Sequence, residues 1–115
     1  MGKPLPITLP NGRYWPKKGD AAQHFQDILH RHQIGGRVLD RADHSDLLAL
    51  VQIYDSALAA GEVTKAGVGI SYFEKRRDVD HPGNTACFFL VRINETSIDF
   101  SLGRALDVAS KARPR

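Results

Sequence analysis

Three sets of residues in this chain could do chemistry: histidines and acids that could hold a metal, a glycine-bearing stretch that could approach phosphate, and basic residues beside aromatics that could grip a polyanion. The metal set fails on spacing. His30 and His32 are two apart on a predicted helix and point in different directions, so they cannot share one ion. His24, His44 and His81 stand at no fixed spacing to Asp or Cys ligands. Cys87 is the only cysteine, which removes disulfides and Cys-based metal sites, and its apolar neighbours predict a buried, unreactive thiol. No Ser-His-Asp order, paired-carboxylate signature or HExxH motif is present. The residues name no reaction, and neither a metal nor a cofactor is expected.

The glycine-bearing stretch is Lys65-Ala66-Gly67-Val68-Gly69-Ile70. It lacks the third glycine and the following helix of a dinucleotide or phosphate loop. Its glycines fit a close backbone approach or a bulge beside a strand. Lys65 is then either a phosphate contact or a solvated charge. Lys75, Arg76 and Arg77 form the one internal basic cluster, with Asp78 and Asp80 following at once. Tyr14 and Trp15 stand beside Arg13, Lys17 and Lys18, an order that suits base stacking between phosphate-binding charges and equally suits a hairpin tryptophan packed on the core.

Charge is distributed unevenly over the 115 residues. Residues 1–18 carry Lys3, Arg13, Lys17 and Lys18 and no acid, net +4, and residues 111–115 carry Lys111, Arg113 and Arg115, net +3. Residues 19–110 hold all 13 acids against nine basic residues, net −4. Basic ends suit nucleic acid or an acidic partner. No apolar stretch is long enough to span a bilayer, and the proline-broken start does not read as a signal peptide, so a reducing, cytoplasmic setting is expected.

The elements that must position these residues can be read from pattern. Ile7 to Trp15 reads as an edge hairpin turning at Asn11-Gly12 with type I′ geometry. A helix opens at Gly19 or Asp20, with Phe25, Ile28, Leu29 and His32 on one face, and stops at Gly35-Gly36. A second helix, capped by Asp43, carries Leu47, Leu50, Val51, Tyr54 and Leu58 and stops at Gly61. Alternation from Val68 to Phe73 predicts a strand, residues 75–84 a polar loop, and the apolar run from Cys87 to Ile93 a central strand covered on both faces. A two-residue Glu95-Thr96 turn would set Val91 opposite Phe100, and Arg92 opposite Asp99 as a structural ion pair. A short helix over residues 102–109 precedes a basic tail. The expected fold is α+β: a small antiparallel sheet with an N-terminal hairpin, on two main helices plus a short C-terminal helix. Residues 1–18 form the basic segment, 19–110 the domain and 111–115 the tail.

From His24 to Leu106 the chain resembles the DCL family, named for a plant chloroplast protein and found also as a small bacterial domain of the DUF3223 class. The resemblance rests on Phe25-x-x-Ile28-Leu29-x-Arg31, Leu47-Leu48-Ala49-Leu50, Lys65-x-Gly67-x-Gly69-Ile70, Cys87-Phe88-x-x-Val91-Arg92 and Asp99-Phe100-Ser101, in that order. Two departures stand out. Asn94-Glu95 occupies the last turn where the family usually has Asp-Gly. Leu102-Gly103-Arg104-Ala105 replaces an aromatic, a basic pair and a cysteine, so that Arg104 alone keeps the basic character. The resemblance implies a link to RNA, since DCL proteins are associated with plastid ribosomal-RNA maturation and a similar domain ends the largest subunits of plant-specific RNA polymerases. It implies no catalytic residues. The resulting expectation is a non-enzymatic RNA-binding or RNA-processing accessory module. Its contacts would come from Lys65, Arg76, Arg77, Arg104, Tyr14 and Trp15, with Tyr72 as a further stacking candidate. The alternative is a protein–protein adaptor docking on RNA polymerase or a ribosome-associated factor, which the acidic body favours.

Overall fold

The computed structural model describes residues 6–59, 61–77 and 86–111. Two short strands, β1 (Ile7–Thr8) and β2 (Tyr14–Trp15), pair antiparallel. Helices α1 (Lys18–Arg31) and α2 (Arg41–Ser56) follow. A three-stranded antiparallel sheet, ordered β3 (Ile70–Arg77), β4 (Ala86–Arg92), β5 (Ser97–Phe100), then leads into α3 (Leu102–Lys111). The expected α+β architecture is therefore the observed one. None of the helices among the described residues is long and apolar enough to cross a membrane.

The sheet offers two different faces. Phe73, Phe88, Leu90 and Phe100 point inward and are fully or almost fully buried with Phe25, Ile28, Leu47, Leu50 and Leu106. The helices meet this inner face edge-on through rings: His32 on Phe88, His44 on Phe73 and Tyr54 on Phe100. Ile7 and Leu9 enter the same core, so the N-terminal hairpin is part of the domain rather than an appendage to it. Fully burying side chains of this size is worth about 1.5–3 kcal/mol each, and this inner layer is what holds sheet and helices together.

Local chemistry corrects several expectations. α2 is capped by Asp40, whose Oδ1 accepts from the Asp43 amide at 2.9 Å. Asp43 itself is buried and accepts from Arg31 at 2.7 Å, tying α2 to α1. His32 lies just past α1, which ends before the glycine pair. Lys75, Arg76 and Arg77 are strand, not loop. Lys75 points inward, and its Nζ donates to the Leu29 and His32 carbonyls, both at 2.9 Å. A cation at a helix C-terminus satisfies orphan carbonyls and complements the helix dipole. The rest of the expected loop, residues 78–84, lies outside the described residues.

Both hairpins turn in the same way. In the first, Leu9 O accepts from Gly12 N and Leu9 N donates to Arg13 O; in the second, Arg92 O accepts from Glu95 N and Arg92 N donates to Thr96 O. Each is a three-residue loop with its last residue left-handed, Gly12 at φ 91° and Glu95 at φ 71°. Asn11 keeps a negative φ, so the first turn is not type I′. In the second hairpin the three-residue loop over residues 93–95, in place of the expected two-residue Glu95-Thr96 turn, shifts the register by three residues. Phe88 faces Phe100, Phe89 faces Asp99 and Val91 faces Ser97.

Candidate functional site

The three-residue shift removes the expected Arg92–Asp99 pair. Arg92 instead turns back, its Nε donating to Lys65 O at 2.9 Å and its guanidinium reaching Thr96 Oγ1 at 3.2 Å. A Cβ on Gly67 would stand 2.8 Å from Arg92 Nε, and Gly67 has φ 54°, so glycine is needed there on both counts. The Asp55 carboxylate holds the same turn from α2, accepting from the Lys65 and Ala66 amides at 2.8 and 3.0 Å. The Lys65 backbone is thereby fixed on both sides, and its Nζ donates to Asp99 O at 2.9 Å. Three of the stretches that carried the family resemblance, around Lys65, Arg92 and Asp99, meet at this point.

Beside it, where β5 runs into α3, Tyr54, Lys65, Asp99, Phe100, Ser101 and Arg104 line a cavity of about 200 Å³. Lys65 Nζ sits 6.0 Å from the centre of the Tyr54 ring. Ser101 Oγ accepts from the Arg104 amide at 3.3 Å and so caps α3.

The outer face of the sheet is lined differently. Gly35, Gly36 and Val38 bond to the β3 backbone, and Arg37 pairs opposite Glu74, so residues 35–38 add a short edge to β3. Across this face lie Arg37, Glu74, Phe89 and Asp99 in one row, with Tyr72 and Arg76 on either side of Glu74. The Arg37 guanidinium stacks over Tyr72 at 3.9 Å and that of Arg76 over Phe89 at 4.8 Å. Arg76 is also held by Glu74 at 2.9 Å and Ser97 Oγ at 3.0 Å. Each arginine is parked on an aromatic ring, with its charge kept at the surface.

The structure thus separates the sequence candidates. Arg76 belongs to the outer face, and Arg77 is exposed at the end of the same strand. Lys65 and Arg104 share the cavity at the opposite edge of the sheet. Tyr14 and Trp15 are elsewhere, on the hairpin. Trp15 packs on His24 and Phe25 at ring-centre distances of 5.1 and 5.8 Å, whereas Tyr14 is 58% exposed. Arg13 is engaged with the buried carboxylate of Asp46, at 3.6 Å, which also accepts from Asn11 at 2.9 Å and hydrogen-bonds His24 at 2.8 Å. Sequence reading missed Arg37, Phe89 and Tyr54: Arg37 lies between elements, and the apolar run of β4 hides which residues face out. Cys87 is half-buried rather than buried. Among the described residues, no group of three or more His, Cys, Asp or Glu side chains could hold a metal.

The DUF3223 family model, describing a protein family of unknown function, matches residues 26–106. A solution structure of an uncharacterised protein from Rhodospirillum rubrum is similar at 27% identity and a TM-score of 0.71, over 91% of each chain. No curated protein matches.

Proposed function

We propose that this chain, which belongs to the DUF3223 family, is a non-enzymatic module that binds single-stranded RNA across the outer face of its sheet, as an accessory to RNA processing of the kind its resemblance to DCL proteins implies. The observation that carries this reading is the pair of guanidinium-on-ring stacks, Arg37 on Tyr72 and Arg76 on Phe89. Single-stranded RNA is bound by stacking its bases on aromatic rings or arginine planes while cations follow the phosphates. Arg37 is exposed, so a base can stack on it with Tyr72 supporting from below.

Charge supports the same side of the molecule. Although residues 19–110 are net acidic, among the described residues the strip from the outer face to the β5 edge holds Arg37, Arg76, Lys65 and Arg104 against Glu74 and Asp99. Asp27, Asp43, Asp46, Asp55 and Asp107 belong to the helices. A domain that is acidic overall can still present a cationic strip when its acids are engaged elsewhere.

The test is the salt dependence of single-stranded RNA binding by the full chain. About four phosphate contacts predict a log–log slope near −3, at about 0.7 per contact on single strands. Arg37→Ala with Arg76→Ala should flatten the slope by about 1.4, two contacts at about 0.7 each, and weaken binding, whereas deleting residues 111–115 should leave most of it. A slope carried by the tail alone, or no binding at low salt, rejects the reading.

One observation favours the adaptor alternative. Val68 and Ile93 are 60% and 65% exposed and neighbour one another, with Ile93 N donating to Gly69 O at 3.0 Å. Exposed apolar side chains grouped in this way suit a protein partner. If the RNA test fails, this patch is the surface to probe.

A further inference from the structure

We infer that the cavity between β5 and α3 is a seat for one phosphate group, with Lys65 and Arg104 as its ligands and the Tyr54 ring as the wall for the attached sugar. This deepens the RNA reading and rests on it for the biological source of the phosphate, but the seat itself is argued from geometry.

The first argument is that Lys65 is mounted rather than free. Asp55 accepts from the amides of Lys65 and Ala66, and Arg92 Nε donates to the Lys65 carbonyl. Gly67 leaves no room between that turn and the Arg92 side chain. A lysine whose backbone is held at three points gives up less freedom on binding than one on a mobile loop. Its Nζ donates to Asp99 O, and an ammonium has two further protons for an anion.

The second argument is the inventory of the cavity. No partner is seen for the Arg104 guanidinium among the described residues, although Arg104 lines the same cavity as a second cation, Lys65. Arginine donates from a planar fork that matches two phosphate oxygens at once. Asp99 supplies its carbonyl to Lys65 and has its side chain on the outer face, opposite Phe89. Even with that carboxylate counted at the rim, the cations exceed the acids by one. Ser101 adds a hydroxyl, and Tyr54 and Phe100 supply apolar walls.

The third argument is size. At about 200 Å³ the cavity is smaller than the roughly 300–1,000 Å³ of ordinary small-molecule sites. It suits a phosphate and part of its sugar, not a whole dinucleotide. Lying against β5, it is two strands from the Phe73-bearing strand that carries Arg76, about 10 Å at about 4.8 Å per strand. A strand of RNA crossing the outer face would reach it within a few nucleotides.

The test is titration of the isotopically labelled full chain, followed through its backbone amides, with three probes: inorganic phosphate, uridine 5′-monophosphate, and a short single-stranded RNA with or without a 5′-phosphate. Phosphate and the mononucleotide should shift residues 65–67 and 101–104 to saturation. Arg104→Gln, at an exposed position that leaves the fold intact, should weaken this by about tenfold, the loss of one charge-assisted contact. Lys65→Gln should do the same. Tighter binding of the 5′-phosphorylated RNA, lost in Arg104→Gln, identifies a terminal phosphate as the source. Equal binding of both RNAs, weakened alike by Arg104→Gln, identifies an internal phosphodiester. Shifts that do not saturate, or that Arg104→Gln leaves unchanged, overturn the seat, even if RNA still binds over Arg37 and Arg76. Saturation by phosphate in a protein that binds no RNA keeps the seat and rejects the RNA reading.

Discussion

The N-terminal hairpin and the outer sheet face both set arginines beside aromatic rings, yet they use them in opposite ways. On the hairpin, Arg13 lies over Trp15 at 5.2 Å, but Trp15 is packed on His24 and Phe25. The charge of Arg13 is directed at Asp46, which is 5% exposed and also holds Asn11 and His24. That cluster fastens the hairpin to α1 and α2. On the outer face, Arg37 stands on Tyr72 at the surface, and Arg76 on Phe89 keeps its charge at the rim beside Glu74 and Ser97. Basic and aromatic residues adjacent in sequence therefore say little about binding until their internal partners are known. A buried carboxylate shared by several donors turns such a cluster into a fastening, whereas on the outer face the half-buried Glu74 pairs with Arg76 and, among the described residues, no ion pair holds Arg37, leaving a surface that can receive a polyanion.

The largest expected effect tests the fastening. Asp46→Ala strips the shared acceptor from three donors in a buried setting and should destabilise the fold by about 2–3 kcal/mol, measured by urea denaturation. RNA affinity of the folded fraction should barely change. A variant as stable as the parent would show that the hairpin is held by packing alone.

Gly67→Ala comes next. It forces a side chain onto Arg92 and into a left-handed backbone, and should cost about 1–2 kcal/mol. Because the same turn mounts Lys65, phosphate binding at the cavity should fall further than stability does. Glu95→Gly is expected to go the other way, stabilising by about 1 kcal/mol, since Glu95 adopts the conformation that glycine supplies in the sister hairpin. The smallest effect is at the surface contact between Lys18 and Asp107, which ties α1 to α3. That contact holds the Asp107 carboxyl below its ordinary value. A depressed acid contributes stability above its unfolded pKa and loses it as pH falls through the folded one, so Asp107→Asn should remove a shallow acid-side loss in the melting profile and leave neutral-pH stability nearly unchanged.

How much of this was legible follows from the physics of each element. The helices could be read from apolar periodicity at Phe25, Ile28 and Leu29 and at Leu47, Leu50 and Val51, and β4 from its unbroken apolar run. The register of β5 could not, because a three-residue loop depends on Glu95 taking a positive φ that its residue type does not signal. Lys75 looked like loop because strands with one solvated face alternate polar residues, and nothing local reveals that its ammonium caps a helix 43 residues away at His32. Of the candidate site, the basic residues Arg76, Lys65 and Arg104 were visible. Tyr72 was visible as a stacking candidate, but Arg37 and Phe89 were not, since Arg37 reaches Tyr72 and Arg76 reaches Phe89 only through the pairing of segments distant in sequence.

The most direct test of the contrast is to map a short single-stranded RNA onto the folded chain by amide chemical-shift perturbation at low salt. Shifts concentrated at Arg37, along β3 and β4 through residues 72–76 and 87–90, and on toward residues 99–104, with residues 11–15 undisturbed, are the predicted result. Shifts confined to the hairpin or to the basic ends would contradict it.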